Sequence, residues 1–429
     1  MSRINWLLTR LRKTLWVRVS LFAVFGVLVA GLASLTSQLF SGTLPFDIST
    51  DAIDSLLTII ASSMLAVTTF SVGALTAAYS SATTHGTARA TQLLTQDRVV
   101  QNSLATFVGS FLFSIVGLIA LKLSVYGPEG RAVLFVVTLG MIALIVVALL
   151  RWINQLTRLG RVSDTVARIE QETKDAMEAR LKLPFLGGVP LPAAAHGVGP
   201  GIEVITECLG YIQFVDASGL SEAAEEAECG IDVLVLPGSF AYGDTVLARI
   251  TGATEPSADL VNSVRAAFTI SDTRTFEQDP RFGLVVLTEV ALRALSPAVN
   301  DPGTGIDVIG RHARLLTFWA ERWEAACAET PKYPRLRVPA LDLDDLYDDA
   351  FTLIARDGAR QIEVMLRLAT ALGALSRIGH PDSRRAALRH LQTAADRASA
   401  TLAHETDRSR LQGAVARLLD GKPAGLHAP

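Results

Sequence analysis

Four stretches of the first 150 residues, near 17–40, 53–79, 104–125 and 132–150, stay apolar long enough to cross a membrane. A hydrocarbon core of about 30 Å takes roughly 20 helical residues. Five cationic residues, Arg3, Arg10, Arg12, Lys13 and Arg18, precede the first stretch, as in a secretory signal. No small-residue cleavage site precedes Gln38, so the stretch reads as a retained first span.

Lys and Arg in the short loops set the orientation. Beyond the N-terminal five, Arg89 and Arg98 lie between spans two and three, and Arg151, Arg158, Arg161 and Arg168 follow span four. The other loops hold only Lys122 and Arg131, with Asp47, Asp51 and Asp54 at the outer end of span one. The expected topology is multi-pass in an inner (cytoplasmic) membrane, with both termini cytoplasmic. Net charge is −3 overall. Residues 1–160 carry eleven Lys/Arg against five Asp/Glu, whereas the remainder carries 28 against 37. That acidic second half has no basic stripe, so nucleic acid is not an expected partner.

The expected fold is mainly α. A transmembrane domain over 1–155 forms an N-terminal four-helix bundle. An amphipathic helix and a Gly/Pro linker follow over 156–200, where Pro184 and the run from Gly187 to Pro192 break the helical period. Residues 201–256 read as a small β-rich subdomain, with strands at Gly210–Val215, Ile231–Leu236 and Thr245–Ile250 and turns at Pro237-Gly238 and Tyr242-Gly243-Asp244. Residues 257–429 read as a cytoplasmic helical domain, so the region after the spans is α+β.

Span two bears hydroxyls at helical spacing: Thr58, Ser62, Thr69, Thr76 and Ser80. Such a face is either a seam of close helix packing or a wet pathway through one subunit or around an oligomer axis. Asp47, Asp51 and Asp54 would form an acidic outer mouth for cations, or simply a solvated loop leading into a helix N-terminus. In the second half, Asp279-Pro280 and Asp301-Pro302 each place an acceptor and a fixed φ where a helix should begin. Arg274, Glu277, Asp279, Arg281, Glu289, Arg293, Asn300 and Asp301 would form a ligand or subunit contact if the two loops lay at one end of neighbouring helices. Otherwise they build a capped corner.

No catalytic constellation is visible, and no metal or cofactor is expected. The run Asp342, Asp344, Asp345, Asp348 and Asp349 lacks the glycine and terminal glutamate of a calcium loop and reads as a solvated acidic helix start. Three cysteines at irregular spacing argue against a disulfide framework.

The segments Thr76-Ala77-Ala78-Tyr79-Ser80-Ser81, Arg89–Leu94 and above all Arg293-Ala294-Leu295-Ser296-Pro297-Ala298-Val299-Asn300-Asp301-Pro302-Gly303-Thr304 resemble the bacterial predicted membrane proteins grouped as domain of unknown function 2254. The resemblance runs over almost the whole chain. It implies a bacterial inner-membrane protein with several N-terminal spans and a cytoplasmic C-terminal region, and brings no activity with it. Ser81–Thr87 departs from it, replacing a proline-containing turn before Arg89.

Two function classes follow. The first is a homo-oligomeric channel or permeation protein, with span two along the pathway and the cytoplasmic domain as assembly or gating element. The second is a membrane-anchored sensor or scaffold that binds an ion, small ligand or partner through its cytoplasmic domain. In both, the lipid bilayer is a partner and the protein is not an enzyme.

Overall fold

In a computed structural model the chain forms two compact units, residues 7–164 and residues 165–429. The structure describes residues 49–85, 87, 89–90, 97–124, 126–158, 161–192, 200–252 and 257–421, with positions 17, 20, 21, 24 and 28. The expected first span and Asp47 lie outside these residues, apart from those five helical positions.

Among the described residues three helices are long and apolar enough to cross a membrane, at the places of the second, third and fourth expected spans: Thr50–Ser80, Arg98–Lys122 and Gly130–Leu156. They belong to α1 (Thr50–His85), α2 (Arg98–Lys122) and α3 (Pro128–Leu156). α2 starts where Asp97 accepts the N–H groups of Val99, at 2.7 Å, and Val100, at 3.0 Å. The Asp97 side chain also accepts from Gln155 Nε2 at 2.7 Å, tying the start of α2 to the end of α3. Ile53, Leu57, Met64, Phe107, Phe113, Leu134 and Trp152 fill the core of this unit.

In the second unit α4 (Val162–Lys182) ends in a 3₁₀ turn, Pro184–Gly187. The stretch beyond it, expected as a linker, joins the β region. Phe185 and Leu186 are buried in its core, and β1 (Val189–Pro190) pairs in parallel with β8 (Leu336–Val338). The remaining strands are β2 (Ile202–Ile205), β3 (Gly210–Val215), β4 (Gly230–Val233), β5 (Phe240–Ala241), β6 (Val246–Thr251) and β7 (Phe268–Ser271). Five strands form one sheet in the order β1-β8-β4-β6-β2, and three form a second in the order β5-β3-β7. The β region therefore reaches beyond the expected 201–256 on both sides. Two helices, α5 (Ala217–Glu226) and α6 (Ala258–Ala266), bury Leu220, Ala224, Leu260 and Val264 with Ile231, Val233 and Ile250 of the sheet.

The helical region contains α7 (Pro280–Leu295), α8 (Pro302–Ala320), α9 (Trp323–Cys327), α10 (Leu343–Tyr347), α11 (Leu353–Asp357), α12 (Ile362–Leu375), α13 (Pro381–Thr401) and α14 (Glu405–Leu419). Both Asp-Pro pairs cap helices. Asp279 accepts Phe282 N–H and Asp301 accepts Thr304 N–H, each at 3.1 Å. Between α10 and α11 the helix widens into a π-turn, Asp348–Thr352. Such turns occur frequently at functional sites.

Candidate functional site

Among the described residues the hydroxyl face of α1 is not a packing seam. Thr58, Ser62, Thr69, Thr76 and Ser80 are exposed, while Ile53, Leu57, Ile60 and Met64 are buried against α2 and α3. Ser62 Oγ donates to Thr58 O at 2.9 Å, Thr69 Oγ1 to Leu65 O at 3.0 Å and Thr76 Oγ1 to Val72 O at 2.9 Å. A hydroxyl bonded to the carbonyl one turn back has its proton satisfied without water or a neighbouring helix. The packing hydroxyls lie instead on α2, where Ser103, Thr106, Ser110 and Ser114 are buried at helical spacing. Sequence reasoning missed this seam although its period is as regular. Of the acidic mouth, Asp51 is exposed, and Asp54 lies 3.8 Å from Lys122, so its charge is partly offset.

The eight residues around the two Asp-Pro pairs do not converge. α7 separates Asp279 from Asn300 and Asp301, and sixteen helical residues span about 24 Å. Glu289 is half-buried and Arg293 exposed along that helix, while Glu277 is half-buried before it. At the far end Asn300 takes a left-handed φ of 51° and accepts from Gln361 Nε2 at 3.2 Å. The backbone there is closed by Asn300 N–H to Ser296 O and Asp301 N–H to Ala294 O. Hydrogen bonds to the Asp301 carboxylate from Thr304 hold its pKa below the usual range. This end is a rigid corner.

The near end is a charge cluster. Asp279 is buried and accepts from Arg274 Nε at 2.8 Å and Nη2 at 2.7 Å. Burial pushes its carboxyl upward against the pull of Arg274. The turn at Gly238, with φ +97°, presses on this carboxylate so closely that a Cβ there would collide with Oδ2, which leaves glycine as the fitting residue. Arg180 of α4 is buried and donates to Gln278 O at 3.0 Å, and burial lowers its pKa to about 10. The Gln278 side chain accepts Val215 N–H at 2.9 Å, fastening this loop to β3. Arg281 pairs with Asp345 and, at 2.7 Å, with Asp349. The acidic run starts a helix with a largely exposed face, as expected, but its carboxylates are paired: Arg281 takes Asp345 and Asp349, Arg389 lies 3.0 Å from Asp344 and His390 3.1 Å from Asp348.

Beneath the π-turn lies His312, fully buried. Thr288 Oγ1 donates its one proton to Asp349 O, at 2.7 Å, and lies 3.1 Å from His312 Nε2. With the hydroxyl proton given to Asp349 O, Nε2 is the donor to Thr288 Oγ1, and among the described residues Nδ1 has no hydrogen-bond partner. Burial pulls the His312 pKa down to about 3, so the ring is neutral.

Where α9, the start of α10 and α13 meet is a cavity of about 740 Å³. It is lined by Trp323, Glu324 and Cys327 of α9, Ala340–Asp344, His380, and Asp382, Arg385, Ala386 and Arg389 of α13. Arg385 pairs with Asp382 and Arg389 with Asp344. Sequence reasoning reached none of this apart from naming Asp342 and Asp344, because the walls come from segments tens of residues apart. Among the described residues no group of His, Cys, Asp and Glu is placed to hold a metal ion.

A family described as predicted membrane protein (DUF2254) matches residues 12–374. The chain belongs to this family. That match takes in all three apolar helices, the charge cluster and most of the cavity wall. Uncharacterized proteins of Mycobacterium tuberculosis and Mycobacterium bovis are each 28% identical over 215 residues, covering 48% of this chain and 41% of theirs. The matched region is thus less than half the length of these curated relatives. No solved structure matches the chain.

Proposed function

We propose that this DUF2254 member is a membrane-anchored binding protein, a sensor or scaffold. Its apolar helices would hold it in a bacterial inner membrane while the 165–429 unit binds a ligand on the cytoplasmic side. The observation that carries the reading is the cavity of about 740 Å³ in that unit, within the size of small-molecule sites, roughly 300–1,000 Å³. A ligand there would touch Arg389, which pairs with Asp344 of the same wall and lies 3.8 Å from Asp348 of the π-turn. The cytoplasmic placement rests on Arg89, Arg98, Arg151, Arg158, Arg161 and Arg168 flanking the spans. The back-bonded hydroxyls of α1 can face lipid at low cost, so they do not require a wet pathway.

One observation favours the channel reading. The hydroxyl face is exposed among the described residues, where a second copy could meet it. Purified full-length protein in liposomes separates the two. Ion flux no greater than in empty vesicles is expected; flux that changes in Thr69→Val or Ser62→Ala would replace the anchor with a channel.

A further inference from the structure

One edge of the smaller sheet carries main-chain groups without a partner. β7 lies at the end of the order β5-β3-β7 and pairs with β3 alone. In an antiparallel ladder, directly opposed residues alternate between bonded and unbonded pairs. Asp216 N–H donates to Ala267 O at 2.9 Å, so the next pair, Val215 and Phe268, is unbonded. Beyond the bulge at Gln213, Ile212 gives its N–H to Ser239 O at 2.9 Å and accepts that of Gly238 at 2.8 Å, so its main chain faces away from its β7 partner, Ile270. The N–H and C=O groups of Phe268 and Ile270 therefore point away from β3, about 6.7 Å apart along the strand. Among the described residues no hydrogen bond reaches them. Both residues line a groove of about 430 Å³, closed on its other sides by 206–208, Leu247 and the end of α6. Among the described residues its charged members are Arg265 and Glu207, which pair at 2.9 Å, and Arg265 also donates to Ile205 O and to the Asn262 side chain, each at 3.1 Å. With these charges matched, the groove selects neither a cation nor an anion. β7 itself, Phe-Thr-Ile-Ser, has high strand propensity and none of the lysine, proline or charge that blunts pairing at a natural edge. Two donors and two acceptors set at strand spacing match an extended main chain.

We propose that this groove binds a short extended peptide as an added strand on β7, with Phe268 and Ile270 supplying its main-chain partners. Two outward-facing residues beside the wall of α6 hold about three or four residues of strand, so the ligand is an oligopeptide rather than the longer edge of a second copy. The site is separate from the cavity between α9 and α13, and the reading of that cavity stands or falls without it. The test is calorimetric titration of the full-length protein in detergent with acetyl-Val-Thr-Val-amide and with the same tripeptide N-methylated at every residue, which keeps the side chains and removes the main-chain donors. The unmethylated peptide binds with an affinity that salt leaves unchanged, and methylation weakens it at least tenfold. Ala266→Trp, at an exposed position on the groove wall, fills the groove and abolishes binding with the melting temperature unchanged. Ile270→Pro removes an N–H that the fold leaves unbonded and gives the same loss. Absence of peptide binding, equal binding of the methylated analogue, or binding that survives Ala266→Trp overturns the site. A wild-type dimer in detergent that dissociates in Ile270→Pro gives the edge to a second copy and overturns the peptide assignment.

Discussion

His312 gives the second unit a defined response to acid. Its imidazole is fully buried and neutral, with a folded-state pKa of about 3 against an ordinary value of 6.5. A group whose pKa is depressed by folding lends stability that is fully present above its unfolded value and is lost as pH falls toward the folded one. The window here runs from about pH 6.5 down to about pH 3. At about 1.4 kcal/mol per pH unit, the unfolded chain binds the proton first, and the loss between pH 7.5 and pH 5.0 is about 2 kcal/mol. For a unit of this size that is about 4 °C in melting temperature. The control is His312→Gln, which cannot titrate and whose Nε2 can still donate to Thr288 Oγ1. Thermal melts of both proteins at the two pH values, in the same detergent and buffer ions, isolate the histidine. The wild type loses about 4 °C more than the variant on acidification. Equal losses in the two proteins would refute the buried neutral imidazole.

Other perturbations probe the remaining joints. Gly283→Ala places a Cβ into Thr173 Oγ1, where α7 meets α4, and should cost about 1–3 kcal/mol in a melt. Arg281→Lys keeps charge but loses the fork that holds Asp345 and Asp349 together; a loss of about 2 kcal/mol is expected, measured by denaturant midpoint. Asp301→Ala removes the cap of α8 and lowers stability by about 1 kcal/mol, with membrane insertion unchanged by fractionation. A cysteine at Ala400 should resist an impermeant thiol reagent in intact cells and react after permeabilisation.

The legible parts of this protein are those encoded in short range. Long apolar runs placed α1, α2 and α3 with ends up to six residues off, and an aspartate before a proline marked the starts of α7 and α8. Facing was not legible on α1, because its hydroxyls satisfy themselves along their own helix and so carry no information about a neighbour. The β region was legible only in its middle. β8 contributes three residues more than eighty positions after β6, and burial of Leu336 and Val338 is too short a pattern to announce a strand. Asp279 and Arg281 stood out as polar, but not their partners. The carboxylates that hold Arg281 lie 64 and 68 residues away, chosen by tertiary packing. The cavity has the same origin: Trp323, Asp342 and Arg389 share a wall only because α9, α10 and α13 meet.

The reading of the 165–429 unit as a binding unit is tested most directly by hydrogen exchange on the full-length protein in lipid nanodiscs, with and without a bacterial small-molecule extract. Extract-dependent protection is expected in 340–352 and 380–390, the cavity wall and the π-turn, with Thr50–Ser80 unchanged. Protection confined to Thr50–Ser80, together with ion flux through liposomes above that of empty vesicles, would contradict it.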